Sequence, residues 1–354
     1  MVINRKKTRE IKAGKIKIGG NNPIIVQSMT KSKLGNLNSI RTEIKNLIEC
    51  GCELIRIAVP DIKSIHFLKN LIDEKIFTVP VIADIQFDYR IALECISAGV
   101  DGIRINPGNI GGYDRVSEII DKARKKNIVV RIGVNSGSID KKVLKRNRGN
   151  IAASMIESSL EYVRLLESLK FYNFKLSAKA SSVLDTIYVY EKISEKVDYP
   201  LHLGVTEAGP IFSGSIKSAV GMGILLYKGI GDTIRVSLTG NSADEVKAGY
   251  TILNSLNLRK AGVDIISCPT CGRTAKGFQQ FVHEIEKSTS GIKKNLKVAV
   301  MGCIVNGHGE AKEADIGVAF GKDKAAIFLK GRVIDRVDKK DALKSFEKEL
   351  KKII

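Results

Sequence analysis

The sequence predicts an α/β protein, a TIM (β/α)8 barrel followed by a small α+β domain, and three observations carry that expectation. Between residues 23 and 239 a short apolar stretch ending in polar residues recurs eight times, interleaved with longer amphipathic segments. Several of those segments close on glycine, a common end of a helix before a returning strand. After "NLRKAGVD" the rhythm stops, which sets a boundary at residues 259–263 and divides the chain into 1–260 and 261–354.

The elements follow in order. "TREIKAGKIKIGG" reads as a hairpin turning at Ala13 and Gly14, suited to plug the barrel floor. The strands are then "PIIVQSMT", "LIRIAVP", "VPVIADIQF", "GIRINPGN", "IVVRIGVNSG", "FKLSAKAS", "PLHLGVTEAG" and "TIRVSLTG". Helices between them include "LNSIRTEIKNLIECG" and "DYRIALECISAG", with "DEVKAGYTILNSLNL" after the last strand. Eight strand-helix units match a closed parallel barrel, with a doubly wound sheet the runner-up. The second domain offers the helix "GFQQFVHEIEKS", strands near "LKVAVMG", "DIGVAF", "AAIFLK" and "RVIDRV", and a terminal helix from Lys340.

In 354 residues, 44% hydrophobic and 27% charged side chains describe a globular chain able to bury a large core. No apolar run reaches the ~18 residues of a membrane span, and "MVINRKKTREIKAG" has no hydrophobic signal core, so a cytoplasmic location is expected. The net charge of +20 raises nucleic-acid binding as a function. Against it, the lysines are scattered over helix exteriors, as in "DKARKKN" and "FEKELKKII", and no nucleic-acid motif is present. An acidic redox partner or an anionic substrate suits the charge as well.

Alternation along the strands assigns an unusual interior. In "LIRIAV" the residues Ile55, Ile57 and Val59 share the face that packs on the helices, so Arg56 points inward. The same argument turns Arg104 and Asn106, Arg131 and Asn135, Ser177 and Lys179, His202, and Arg235 and Ser237 into the barrel. Such interiors are normally filled by branched apolar residues, and an unpaired buried cation costs several kcal/mol. Asp84 and Glu207 are two carboxylates against five cations on five strands. A ligand with several negative charges, phosphate or diphosphate, balances them better, at the C-terminal mouth where such barrels do chemistry. Asp84, Asn106, Asn135 and Glu207 would orient the ligand and move protons, with Glu207 the candidate donor.

Of six cysteines, Cys50, Cys52 and Cys95 sit in apolar, helix-like or helix-end contexts as inert thiols. Cys268 and Cys271 in "SCPTCGRT" and Cys303 in "MGCIVNGHGEA" form a different set, because thiolates two residues apart chelate one ion or one cluster edge. The fourth ligand is His308 or Glu310, and local spacing favours neither. His308 would complete a structural zinc site. Glu310 would complete an iron-sulfur site with an exchangeable position. Glycines in "CGRT", "MGC" and "NGHGE", which let amides approach sulfides, lean weakly toward the cluster.

These stretches, with "ADIQFDYRIAL", "VDGIRINPGNIG", "RIGVNSGS", "SGSIKSAVGMG", "GIGDTIRVSLTG" and "MGCIVNGHGEAKEADIGVA", closely resemble the 4-hydroxy-3-methylbut-2-en-1-yl diphosphate synthase family in its bacterial two-domain form, over nearly the whole chain. The resemblance implies a barrel that binds 2-C-methyl-D-erythritol 2,4-cyclodiphosphate. It also implies a C-terminal domain with a [4Fe-4S] cluster on Cys268, Cys271, Cys303 and Glu310. It further implies reductive dehydroxylation with electrons from flavodoxin or ferredoxin, Glu207 protonating the leaving oxygen, and a head-to-tail homodimer. Two positions depart from the family pattern, Gln86 where histidine is usual and His308 where proline is usual, and the segment "TKSKLGN" differs from a "TNT"-like loop.

Overall fold

The computed structural model describes residues 2–272, 274–292, 294–303, 313–321 and 323–354. The chain divides into two compact units, Met1–Arg259 and Lys260–Ile354.

The first unit opens with a hairpin of β1 (Ile11–Ala13) and β2 (Ile16–Ile18). Ala13 pairs with Ile16, so the turn is Gly14 and Lys15, one residue later than the sequence suggests. Gly14 takes the left-handed φ of +54° that the tight reversal needs. Eight parallel strands follow: β3 (Ile25–Met29), β4 (Leu54–Ala58), β5 (Val81–Asp84), β6 (Gly102–Ile105), β7 (Val129–Asn135), β8 (Phe174–Lys179), β9 (His202–Leu203) and β10 (Thr233–Ile234). The ladder runs β8-β7-β6-β5-β4-β3-β10-β9, and a parallel bridge between Leu176 and Leu201 joins its two ends. This is the (β/α)8 barrel that the alternating rhythm predicts.

Local chemistry fixes the helices between strands. Asn36, Asp88 and Asn241 cap the helices Leu37–Glu49, Tyr89–Ala98 and Ser242–Ser255 with side-chain oxygens, and Gly99 ends the second at φ 96°. Their apolar faces meet the outward strand residues Ile55, Ile57, Val59, Ile103, Ile105, Val130 and Ile132 in one core. A separate small core joins Ile11, Ala13 and Ile18 of the hairpin to Ile25, Leu54, Ile82 and Val129 on the inward face, so the hairpin plugs the barrel. The last two strands are shorter than their apolar stretches suggest. Beyond Ile234 the chain leaves the ladder, and Leu238 N–H bonds the Glu245 carboxylate at 3.2 Å.

In the second unit β11 (Val263–Ser267), β12 (Leu296–Met301) and β13 (Ile316–Phe320) run parallel, and β14 (Lys324–Leu329) and β15 (Arg332–Asp338) complete the sheet antiparallel. Helices Phe278–Thr289 and Ala342–Leu350 cover one face through Phe278, Phe281, Ile285, Phe346 and Leu350. On the other face Gly317 leaves room for the Phe328 ring, which any Cβ there would overlap.

Candidate functional site

The strand register assembles the inward charges. Asp84 pairs with Arg104, Arg104 with Arg131 and Arg131 with Lys175, so one row crosses four strands at one level of the barrel. Asn135 pairs with Lys179 two pleat repeats further toward the mouth, with Gly133 and Ser177 between. Arg56, Asp84, Arg104, Asn106, Arg131, Lys179 and His202 are buried, and Asn135, Arg235 and Ser237 half-buried. Two glycines make this possible. A Cβ on Gly133 would lie 2.8 Å from Arg104 Nε, and one on Gly204 would overlap Lys179 Nζ, so long charged side chains cross where those strands have none.

Asp84 accepts from Arg104 Nη1 at 3.1 Å and lies 3.7 Å from Arg56 Nε, whose Nη2 also meets Met29 Sδ at 2.8 Å. Burial pushes the Asp84 carboxyl up, but Arg56, Arg104 and Arg131 outweigh it and hold it below the ordinary carboxylate range. Asp84 therefore serves as an ionised anchor rather than an acid. Burial takes the Arg56 guanidinium down to about 10 despite Asp84. Burial, then the neighbouring arginines, push Arg131 and Lys179 well below their ordinary values. His202, buried beside Lys179 and Arg131, is pushed down as well and stays neutral, with Nδ1 2.8 Å from Thr233 Oγ1.

Asn106 caps the short helix Pro107–Ile110, accepting from Gly108 N at 3.2 Å, and its amide donates to Ser138 Oγ at 2.7 Å. The Asn135 amide, with its oxygen toward Arg104, accepts from Nη2 at 3.2 Å. Gln86 Nε2 stands 3.5 Å from Asp84 Oδ2. Glu207 is exposed in the loop after β9, and its backbone holds φ 52°, a left-handed conformation that glutamate adopts only with strain.

Three charged groups escaped the sequence reading. Lys175 follows the same alternation as Ser177 and Lys179 and is fully buried. Burial, then Arg131 and Arg56, push its ammonium well below the ordinary value. Asp232 binds Thr8 Oγ1 at 3.0 Å and Leu201 N at 2.9 Å. Glu245 forks Arg235 through Nε at 3.1 Å and Nη2 at 3.2 Å. The interior thus holds six cations, Arg56, Arg104, Arg131, Lys175, Lys179 and Arg235, with Asp84 and Glu245 as their directly bonded carboxylates. Arg131 Nε and Nη1, Lys175 Nζ and His202 Nε2 are buried without a hydrogen-bond partner among the described residues. Buried donors in that state call for acceptors from a ligand or water.

In the second unit Cys268 directly follows β11 and Cys303 lies two residues beyond the end of the neighbouring parallel strand β12. Gly302 N donates to Cys268 Sγ at 3.1 Å, and Ala275 N to Gly302 O at 3.1 Å, so the cysteine loop folds back on the end of β12. Cys271 lies in that loop, its N–H on Thr274 Oγ1 at 2.9 Å. Cys268 and Cys303 are half-buried and Cys271 is exposed, and none of the three is in a disulfide. Among the described residues no three Cys, His, Asp or Glu side chains already converge as a metal site. Glu310 and His308 lie outside the described residues. By contrast, burial pushes the Cys52 and Cys95 thiols up to about 12, which makes them inert.

A closed parallel barrel with a cation-lined interior, followed by a sheet unit bearing cysteines at adjacent strand ends, defines a two-unit α/β protein whose barrel interior is suited to an anion. The chain belongs to the GcpE family: it matches the GcpE TIM-barrel domain over residues 8–250 and the GcpE protein C-terminal domain over residues 264–352. It is 51% identical over 354 residues to 4-hydroxy-3-methylbut-2-en-1-yl diphosphate synthase (flavodoxin) of Caldanaerobacter subterraneus subsp. tengcongensis, covering 100% of this chain and 99% of that one. The synthase of the same name from Maridesulfovibrio salexigens is 49% identical over 99% of this chain and 97% of its own. The crystal structure of N-acetylneuraminic acid (sialic acid) synthetase from Leptospira borgpetersenii serovar Hardjo-bovis superimposes with a TM-score of 0.50 at 14% identity, over 80% of this chain and 99% of that one, a likeness of fold alone.

Proposed function

We propose that the chain performs the reaction for which its relatives are named, the reductive dehydroxylation and ring opening of 2-C-methyl-D-erythritol 2,4-cyclodiphosphate to (E)-4-hydroxy-3-methylbut-2-enyl diphosphate, a step of isoprenoid biosynthesis. The row of buried, incompletely partnered cations carries this reading, because a cyclic diphosphate supplies the acceptors that Arg131, Lys175 and His202 lack. Arg56, Arg104, Arg131, Lys179 and Arg235 bind its two phosphates. Asn106, Asn135 and Ser237, near the C-terminal ends of their strands, orient the ring, with Asp84 anchoring the guanidinium groups and neutral His202 lining the interior. Glu207 at the mouth holds the proton that leaves with the C3 oxygen as water.

The donor chemistry fits an iron-sulfur centre, since three cysteines outside any disulfide fall in loops at the ends of neighbouring strands and an amide already donates to Cys268 Sγ. We assign Cys268, Cys271, Cys303 and Glu310 as ligands of a [4Fe-4S] cluster, which when bound would pass the two electrons singly and offer one iron with a displaceable carboxylate as Lewis acid.

Reduced flavodoxin, which the relatives' name specifies, or ferredoxin is the electron donor, and the net charge of +20 suits an acidic protein of that kind. A homodimer is supported by the exposed row Phe212, Ile216, Val220 and Ile224 on helix Ile211–Tyr227, beside Leu184 and Tyr188 on helix Val183–Ser194. No helix among the described residues is long and apolar enough to cross a membrane, and we place the enzyme in the cytoplasm. The test is anaerobic conversion of the cyclic diphosphate by iron-loaded protein with reduced flavodoxin. Formation of the open-chain diphosphate is expected, and no conversion by intact loaded protein would falsify the reading.

A further inference from the structure

The loops after β3 and β10 meet on one buried carboxylate to which the scheme above gives no role. Glu245 lies in "ADEVKAG" on helix Ser242–Ser255, a stretch that looks like a solvated helix face, yet its side chain is 0% exposed. Its Oε2 accepts from Arg235 Nε at 3.1 Å and Ser28 Oγ at 2.9 Å. Its Oε1 accepts from Arg235 Nη2 at 3.2 Å and Leu238 N at 3.2 Å, and lies 3.1 Å from Lys31 Nζ. Lys31 Nζ also donates to the carbonyls of Leu238 at 2.8 Å and Gly240 at 2.6 Å. A second carboxylate, Glu43, holds the same loop by accepting from Lys31 N at 2.9 Å, Ser32 N at 2.9 Å and Ser242 Oγ at 2.7 Å.

Two consequences follow from this arrangement. Glu245 engages Nε and one N–H of Nη2, which fixes the plane of the Arg235 guanidinium and leaves both Nη1 hydrogens for a ligand. Arg235 and Glu245 alone would be neutral toward an incoming anion, whereas Lys31, in contact with Glu245, gives these three side chains one net positive charge, Glu43 bonding only the Lys31 and Ser32 amides and Ser242 on the far side of the loop.

We propose that Glu245 is the positioning residue for Arg235 and that Lys31 keeps this pair cationic, so that the three together set the affinity of this side of the barrel rim for a diphosphate. The proposal rests on the reading that the barrel binds a cyclic diphosphate. Lys31 lies in the "TKSKLGN" segment after β3.

The experiment compares calorimetric binding of the cyclic diphosphate, and steady-state kinetics, among wild type, Lys31→Met, Lys31→Arg, Glu245→Gln and Lys170→Asn. Lys31→Met should weaken binding and raise KM in step by about five-fold, with kcat moving less than two-fold, the size expected for one half-exposed charge beside a bound anion. Lys31→Arg should restore wild-type affinity. Glu245→Gln should cost about ten-fold or more, because the amide offers only one acceptor to the fork. Lys170, exposed in the turn before β8 at the opposite end of the strands, is the control for net charge, and its variant should bind as wild type does. If Glu245→Gln does not fold, the two Lys31 variants still decide. Wild-type affinity in Lys31→Met, or an equal loss in Lys170→Asn, overturns the proposal while leaving the functional reading intact. A wild type that binds no cyclic diphosphate overturns both.

Discussion

Replacing Asp84 with asparagine tests whether the barrel interior is built for an absent anion or is balanced within itself. Asp84 is 3% exposed and is the acceptor for Arg104 at 3.1 Å, with Arg56 at 3.7 Å and Arg131 close enough to act on its ionisation. Asparagine keeps the shape and one acceptor but removes the charge. Stripping one partner from a buried ion pair costs about 3–5 kcal/mol, and the retained amide oxygen places this case near ~3 kcal/mol. At roughly 2–4 °C per kcal/mol for a unit of this size, the melting temperature should fall by about 6–12 °C near neutral pH. The pH dependence has a definite sign. Because the folded-state carboxyl titrates lower than in the unfolded chain, its contribution is complete above about pH 4 and is lost as the pH falls through the folded value. The gap between wild type and Asp84→Asn should therefore narrow in acid. Inorganic diphosphate should raise both melting temperatures, by about 2.7 kcal/mol of stability at a hundred times its dissociation constant. Circular-dichroism melts with and without diphosphate provide the readout. Equal melting temperatures at neutral pH, a gap that widens in acid, or no response to diphosphate in either protein would each refute the reasoning.

Glu207→Gly should leave stability unchanged or raised by about 0.5 kcal/mol, since glycine takes the φ of 52° without strain. The same change should lower kcat by about 10²–10⁴-fold through loss of the proton donor; retained turnover would remove Glu207 from that role. Gly204→Ala places a Cβ over Lys179 Nζ and 2.6 Å from the Arg235 carbonyl, so it should destabilise the barrel by about 1–3 kcal/mol and weaken diphosphate binding, both measurable by melts and calorimetry. Cys268→Ser should abolish iron and sulfide retention after anaerobic purification. Glu310→Ala should lose most activity and His308→Pro should keep it; the reverse pattern would make His308 the ligand.

Periodicity made the barrel legible because each strand carries two faces with opposite demands, and the outward Ile and Val residues reveal the inward Arg and Lys by elimination. Lys175 obeyed that rule and was still overlooked beside Ser177 and Lys179, although its register with Arg131 makes it part of the same row. Glu245 was not legible in this way. A glutamate among "ADEVK" has the helical spacing of a solvated face, and only the fold reveals that this face turns onto the rim beneath Leu238. The second unit was read from β12 onward, while β11 was missed because its apolar run is short and falls where the rhythm changes. The ends of β9 and β10 were overestimated for a different reason. After β10 the Leu238 amide goes to the Glu245 carboxylate instead of a neighbouring strand, which apolar content does not signal.

The hairpin under the barrel has a kinetic consequence. With Ile11, Ala13 and Ile18 packed on Ile25, Leu54, Ile82 and Val129, apolar side chains fill the floor end of the barrel, and the charged interior is approached from the rim. Whatever reaches Lys179 arrives past the rim and must depart the same way, so a spent ligand and a fresh one compete for one passage. Each turnover must then clear the chamber before the next can begin, so substitutions at the rim should change the release rate more than substitutions at the floor.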